Sequence, residues 1–185
     1  MEEALKFAKK YHYGQFYKGG VPYWTHLWRV ARILEITLKE NGELGEDSEI
    51  LLSAAFLHDV LEDTKATEED IREKFGEKVL SIVKELTDKY SENSDSPDYF
   101  NFLKSASENA RLIKLADLYD NITTATKRIN ENGTEWMNSF FIPRIDKISN
   151  IILNTEFPVF RKSAEFLKKS VKYSRQILIE ETKMW

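Results

Sequence analysis

The segment Ser48–Leu57 constrains the fold more than any other part of this chain. Its Ile50, Leu51, Ala54, Ala55 and Leu57 make a helix that is apolar nearly all the way round. Such a helix is stable in water only where other elements cover it on every side. The run then ends in His58-Asp59, with Glu62 and Asp63 about one helical turn further on. Ionised groups are rarely buried without a partner, because leaving water is costly. A bound metal ion is the simplest partner for this cluster.

The remaining chain supplies the covering elements. Only seven Gly and four Pro interrupt 185 residues, and apolar residues recur at helical rather than alternating spacing. Helices are predicted over 2–13, 25–38 (Thr25 as the N-cap), 48–57 (capped by Ser48), 68–75, 77–87, from Pro97, 110–128, 134–153 with a bend at Pro143, and 158–182. Gly76 separates two of these helices at a position suited to a left-handed cap. The polar stretch 90–95 reads as an exposed loop, and 15–23, with Gly19-Gly20 and Pro22, as another. The expected fold is all-α, a single-domain helical bundle of about nine helices over 1–185, with its motifs in 4–150 and a helical extension at 151–185.

Composition narrows the chemistry. There is no cysteine, so any metal site must use His, Asp and Glu. The net charge of −4 argues against broad binding to nucleic acid or to an anionic membrane. An N-terminus without a basic-then-apolar pattern, and the lack of any run of 18 apolar residues, lead to the expectation of a cytoplasmic protein.

Two further positions stand out as companions to His58 and Asp59. His26, one of three histidines, opens a helix after a loop, and Asp117 closes the apolar run 112–116. Together His26, His58, Asp59 and Asp117 would offer two imidazoles and two carboxylates, a mixed set suited to manganese, iron or zinc. Such an ion lowers the pKa of bound water from ~15.7 to about 7. Glu62 and Asp63 are each four residues beyond a candidate ligand, and either could orient or deprotonate an attacking water. Plainer readings exist for each: a helix-end salt bridge for His58-Asp59, pairing with Lys114 for Asp117, a surface amide for Asn121, a solvated loop lysine for Lys18. His12 reads as a hydrogen-bonded structural histidine. Tyr17, Tyr23, Trp24 and Trp28 read either as a base-stacking pocket or as packing, and 168–172 as the wet face of the last helix.

The segment 55–64, AFLHDVLEDT, resembles the core motif of the HD superfamily of metal-dependent phosphohydrolases, in particular its RelA/SpoT-type hydrolase branch. Residues 12–26, with His12-Tyr13-Gly14-Gln15, Lys18 and Pro22-Tyr23-Trp24-Thr25-His26, and residues 113–121 agree with that branch in order and character. The resemblance implies an all-α small alarmone hydrolase that removes pyrophosphate from the 3′ position of guanosine tetra- or pentaphosphate with Mn2+. It implies metal binding by His26, His58, Asp59 and Asp117, assistance to the water from Glu62 and Asp63, and substrate contacts from Lys18, Asn121 and Thr124. The chain also departs from the branch. Tyr17 stands where an arginine is usual, able to stack on a base but lacking the guanidinium. Leu27 replaces a proline, Leu118 replaces a cation, and an acidic stretch at 90–95 replaces a lysine-rich one. The alternatives are therefore hydrolysis of another nucleotide on the same fold, or a non-catalytic nucleotide or metal sensor. Retention of both Glu62 and Asp63 disfavours the sensor.

Overall fold

The computed structural model of the protein describes residues 1–17, 19–88 and 97–184; Lys18 and the expected loop at 90–95 lie outside the described residues. The described chain is all α-helical, with one isolated bridge between Phe16 and Pro22 in place of any strand. In chain order the helices are α1 (Glu2–Tyr11), α2 (Trp24–Glu40), α3 (Ser48–Leu57), α4 (Val60–Asp63), α5 (Glu68–Leu86), α6 (Pro97–Ser105) and α7 (Glu108–Lys127). Next come α8 (Ile129–Asn132), α9 (Thr134–Trp136), a π-helical stretch (Met137–Phe141), α10 (Ile142–Ile152) and α11 (Arg161–Met184).

α3 sits at the centre, packed against α1, α2, α5 and α7. Leu51, Leu52, Ala54, Ala55, Phe56 and Leu57 are all buried, as a helix without a polar face requires. Fully burying one such leucine contributes about 1.5–3 kcal/mol. The neighbours are amphipathic and turn one stripe inward: Leu27, Val30, Ala31, Leu34 and Leu38 from α2, and Ile71, Val79, Leu80 and Val83 from α5.

The nine expected helices correspond to the longer segments, with 68–86 divided at Gly76. That residue has φ +82° inside α5, a backbone conformation costly for any residue with a Cβ. Thr67 caps α5 through a reciprocal box with Asp70. Four expected starts shift. Ser48 is the first residue of α3 and not its cap, its hydroxyl accepting from the Gly45 N–H. α2 begins at Trp24, and the Thr25 hydroxyl donates to Pro22 O instead of capping. α7 begins at Glu108 because the Ser107 side chain accepts from Ala110 N–H. The last helix begins at Arg161, not Pro158. Its entry is tied down by two carboxylates from elsewhere. Glu108 accepts from the Val159 and Phe160 N–H groups at 2.9 and 2.7 Å, and Glu43 from those of Lys162 and Ser163 at 3.0 and 2.9 Å. Both satisfy donors that a helix start leaves open. Among the described residues no helix is long and apolar enough to cross a membrane.

Candidate metal centre and cavity

Three elements around α3 bring the candidate ligands together. His26 comes from the first turn of α2, Asp117 from the middle of α7, and His58-Asp59 from the break between α3 and α4. The helix does not run through His58-Asp59: it stops at Leu57 and resumes at Val60. One ligand atom from each of His26, His58 and Asp117 lies within 4.8 Å of the others, and all three residues are buried. Asp59, outside that trio, stands beside it, its Oδ2 lying 3.2 Å from His58 Nε2 and 3.6 Å from His26 Nε2.

The hydrogen bonds behind the cluster set the role of each nitrogen. His58 Nδ1 faces the Ala55 carbonyl oxygen at 2.8 Å and so donates to it, leaving Nε2 with a lone pair. That buried Nε2 has no hydrogen-bond partner; it points among carboxylate oxygens that likewise carry only lone pairs. His26 Nδ1 lies 2.7 Å from Asp120 Oδ2, which also accepts from Arg29. His26 Nε2 is thereby turned toward Asp117 Oδ1 at 3.1 Å. Lone pairs converging from two imidazoles and a carboxylate in a buried space require a proton or a cation between them, and an N/O set of this kind fits a divalent transition metal.

Titration directions follow from the same crowding. Burial opposes a charge on His58, yet Asp59 and Asp117 outweigh it and hold the imidazole well above its usual range. Burial likewise works against ionised Asp117, but Lys114 and the two histidines keep it well below the carboxylate range. Lys114 Nζ sits 2.8 Å from Asp117 Oδ2 while the histidines face Oδ1. Pairing with Lys114 and facing the cluster are therefore compatible.

Beside this centre opens a cavity of about 190 Å³. Asp59, Glu62 and Asp63 line it from one side, Lys114, Asp117, Leu118 and Asn121 from α7, and Phe141, Arg144, Ile145 and Ile148 from the π-helical stretch and α10. Glu62 and Asp63 are solvent-exposed at its edge. Glu62 Oε2 is held by the Asp88 N–H at 2.9 Å. Crowding by surrounding protein, with the nearby Asp59 charge added, pushes the Glu62 carboxyl up to about 7 and that of Asp63 up to about 6. Two carboxyls that bind protons near neutrality at the edge of a metal-ligand cluster are suited to accepting a proton from water.

The candidate substrate contacts divide. Asn121 lines the cavity and donates to Asp117 Oδ1 at 2.6 Å. Thr124 lies behind the centre, where its hydroxyl accepts from Arg29. Tyr17 packs against Tyr23, ring centroids 5.3 Å apart, with the Arg128 guanidinium 5.0 Å over its ring. Lys18 falls outside the described residues. His12 is fully buried, with Nδ1 on Gln15 Oε1 at 2.7 Å; Gln15 in turn donates to the Asp63 carbonyl.

Several residues of this centre are not evident in the sequence reading. Asp120 and Arg29 form a bidentate pair, Nε to Oδ1 at 2.6 Å and Nη2 to Oδ2 at 2.8 Å. Tyr23 donates to Asp59 Oδ2 at 2.7 Å. The available signal is spacing. Tyr23 and Arg29 flank His26 by three residues, and Asp120 follows Asp117 by three, which puts each beside its ligand on a helix.

Comparison with known proteins agrees with this geometry. The HD domain family profile matches residues 4–135. The guanosine-3′,5′-bis(diphosphate) 3′-pyrophosphohydrolase of Aquifex aeolicus is 38% identical over 130 residues, covering 67% of this chain and 17% of that protein. This chain thus spans less than a fifth of that relative. The shorter MESH1 pyrophosphohydrolase of Xenopus tropicalis is 34% identical over 137 residues, covering 72% of this chain and 73% of the relative. Among solved structures, a metazoan orthologue of SpoT that hydrolyses ppGpp superposes with a TM-score of 0.71 at 27% identity, covering 95% of this chain and 93% of that one. A Listeria monocytogenes protein, lmo0812, shares the fold with a TM-score of 0.62 at 23% identity. With a candidate ligand cluster drawn from α2, α7 and the break after α3, and a family match across most of its length, the chain belongs to the HD domain family.

Proposed function

We propose that this protein is a metal-dependent phosphohydrolase that removes pyrophosphate from the 3′ position of guanosine 3′,5′-bis(diphosphate), using Mn2+ in the cytoplasm. The observation that carries the reading is a cavity lined by Asp59 and Asp117, which adjoin or belong to the buried His/Asp cluster, together with the raised carboxyls of Glu62 and Asp63. The names of the relatives, which are pyrophosphohydrolases of this nucleotide, support the substrate.

In this reading His26, His58, Asp59 and Asp117 hold the metal, which supplies Lewis-acid polarisation of the phosphoryl group and acidification of water. Glu62, steadied by the Asp88 N–H, takes the proton from the attacking water, and Asp63 beside it orients that water. The bond from phosphorus to the 3′ oxygen breaks as the new bond from water forms; the 3′ oxygen takes up a proton and remains on GDP as its hydroxyl, and the phosphorus departs in pyrophosphate. Lys114 and Asn121 fix the Asp117 carboxylate and stand next to the phosphate path. Asp120 and Arg29 lock the His26 ring, with Thr124 bracing Arg29. The resemblance alone assigns substrate contacts to Lys18 and Tyr17. A second substrate, another phosphorylated nucleotide cleaved by the same groups, is favoured by Leu118 and Tyr17, which take the places of cations usual in this branch.

The test is to load metal-free protein with Mn2+ and separate the products from a nucleotide panel. Release of pyrophosphate and GDP from the 3′,5′-bis(diphosphate) is expected. Glu62→Gln should keep the metal and lower turnover by roughly 10²–10⁴-fold. Cleavage of simple nucleotides with the bis(diphosphate) untouched would move the assignment to the second substrate. Metal binding with no turnover of any nucleotide would reject both.

A further inference from the structure

The chain leaves α1 through His12 and doubles back at Gly14, whose φ of +81° a residue with a Cβ rarely adopts. Gln15 is fixed in that turn by its own backbone: its N–H donates to His12 O at 3.1 Å, and its carbonyl accepts from the Tyr23 N–H at 2.9 Å. Its side-chain amide then spans two partners. Nε2 donates to the Asp63 carbonyl at 2.7 Å, and Oε1 lies 2.7 Å from His12 Nδ1. A carbonyl can only accept, so the amide must turn its NH2 to Asp63 and its oxygen to the ring. His12 Nδ1 therefore carries a proton and donates. His12 is fully buried and its Nε2 has no hydrogen-bond partner. Burial pulls the imidazole below its usual range, so the ring is held neutral with Nδ1 as its one N–H.

We infer that His12 is a positioning residue for the reaction, aiming the Asp63 carboxyl through the Gln15 amide. This rests on the hydrolase reading above. Asp63 ends α4, a helix of four residues, too short to fix its own orientation. Its N–H donates to Asp59 O at 2.9 Å, and its carbonyl, of the kind a helix end leaves open, is taken by Gln15. α4 is thus oriented from outside, by the Asp88 N–H on Glu62 and by Gln15 on Asp63. The same loop steadies the neighbouring carboxylate, since Tyr23 donates to Asp59 Oδ2 at 2.7 Å and its ring centroid lies 5.2 Å from that of His12. An apolar ring would serve packing alone, without the cost of a buried nitrogen left unpartnered. What the imidazole adds is the Nδ1–H that decides which way the amide faces. Misplacing groups around a reacting water by about 1 Å can cost up to roughly a hundredfold in rate.

The experiment measures kcat, KM and metal content of the Mn2+-loaded protein on the bis(diphosphate) in three variants. His12→Phe keeps a ring and removes the donor. His12→Asn offers an amide N–H in place of Nδ1–H, and Gln15→Met removes both polar ends at a half-buried position that packing does not depend on. His12→Phe and Gln15→Met should each lower kcat about ten- to a hundredfold with KM and metal content unchanged, and His12→Asn should recover most of the loss. In an Asp63→Asn background, His12→Phe should lower kcat no further. Equal losses in His12→Phe and His12→Asn, a loss that persists in the Asp63→Asn background, or full kcat in Gln15→Met overturns the inference. Wild-type protein that turns over no nucleotide strikes the hydrolase reading instead. The Asp63 carboxyl resonance by carbon NMR then decides the positioning: it should move in His12→Phe and Gln15→Met and return in His12→Asn, and an unmoved resonance overturns it.

Discussion

The candidate metal-ligand cluster and the apolar wall of the cavity beside it are built on different terms. In the cluster every side chain is constrained from behind: His58 by Ala55, His26 by Asp120, Asp117 by Lys114 and Asn121, Asp59 by Tyr23. The wall is mostly apolar, Phe141, Ile145 and Ile148 from the π-helical stretch and α10 and Leu118 from α7, with Phe141 stacked on Trp136. The contrast teaches that the reactive centre depends on a network in which one lost member leaves others unpaired, whereas the wall depends on shape and tolerates exchange of similar volumes.

The hardest test of that contrast is His58→Ala. It removes an imidazole whose Nε2 faces three other candidate ligands, and metal content by elemental analysis should fall to background together with turnover. Retention of metal in this variant would mean the cluster is a salt-bridge network and not a metal site. A smaller effect should come from behind the ligand: Asp120→Asn frees the His26 ring and weakens Arg29, so metal affinity by competitive titration should drop about 10–100-fold. An unchanged affinity would show that the Asp120–Arg29 pair is structural only.

The smallest effect concerns protons. The Glu62 carboxyl is raised to about 7 in the fold against an ordinary 4.5, so its ionised form is disfavoured by folding. The resulting loss of stability is absent below about 4.5 and complete above about 7. Glu62→Gln should therefore raise the Tm of the metal-free protein by a few degrees at most at pH 8, the exposure of the side chain limiting the gain, and leave it unchanged near pH 4.5. Equal shifts at both pH values would remove Glu62 as the proton acceptor of the cavity edge.

Much of this molecule is legible in its sequence because the helical period is long and unbroken. α2, α5, α7 and α11 each carry an apolar stripe over several turns, and α3 declares its central place by lacking a polar face. The candidate ligands stand out for a related reason: His58-Asp59 and Asp117 are polar groups placed where an apolar stripe ends, which demands a compensating partner. What is hidden is short or cross-element. α4, α8 and the π-helical stretch span four or five residues each, too few to show a period. Asp120 and Arg29 look like ordinary helix polar residues until α2 and α7 are placed side by side. The wall is hidden for the same cause, since Leu118 and Ile148 read as core positions and only the packing of α10 against α7 turns them toward a cavity.

The π-helical stretch at Met137–Phe141 has a consequence for how such a protein can change over time. A π turn holds one residue more than the α turn it replaces, and a helix advances about 100° for each residue. Deleting a single residue between 137 and 141 would restore an α turn, change which side chain stands at the end of the stretch, and leave α10 beyond it in phase. α2, α3 and α7, which carry the metal-ligand cluster, would keep their register. The π-helical stretch is thus a place where one residue can be lost at the edge of the cavity without moving the candidate ligands His26, His58, Asp59 and Asp117.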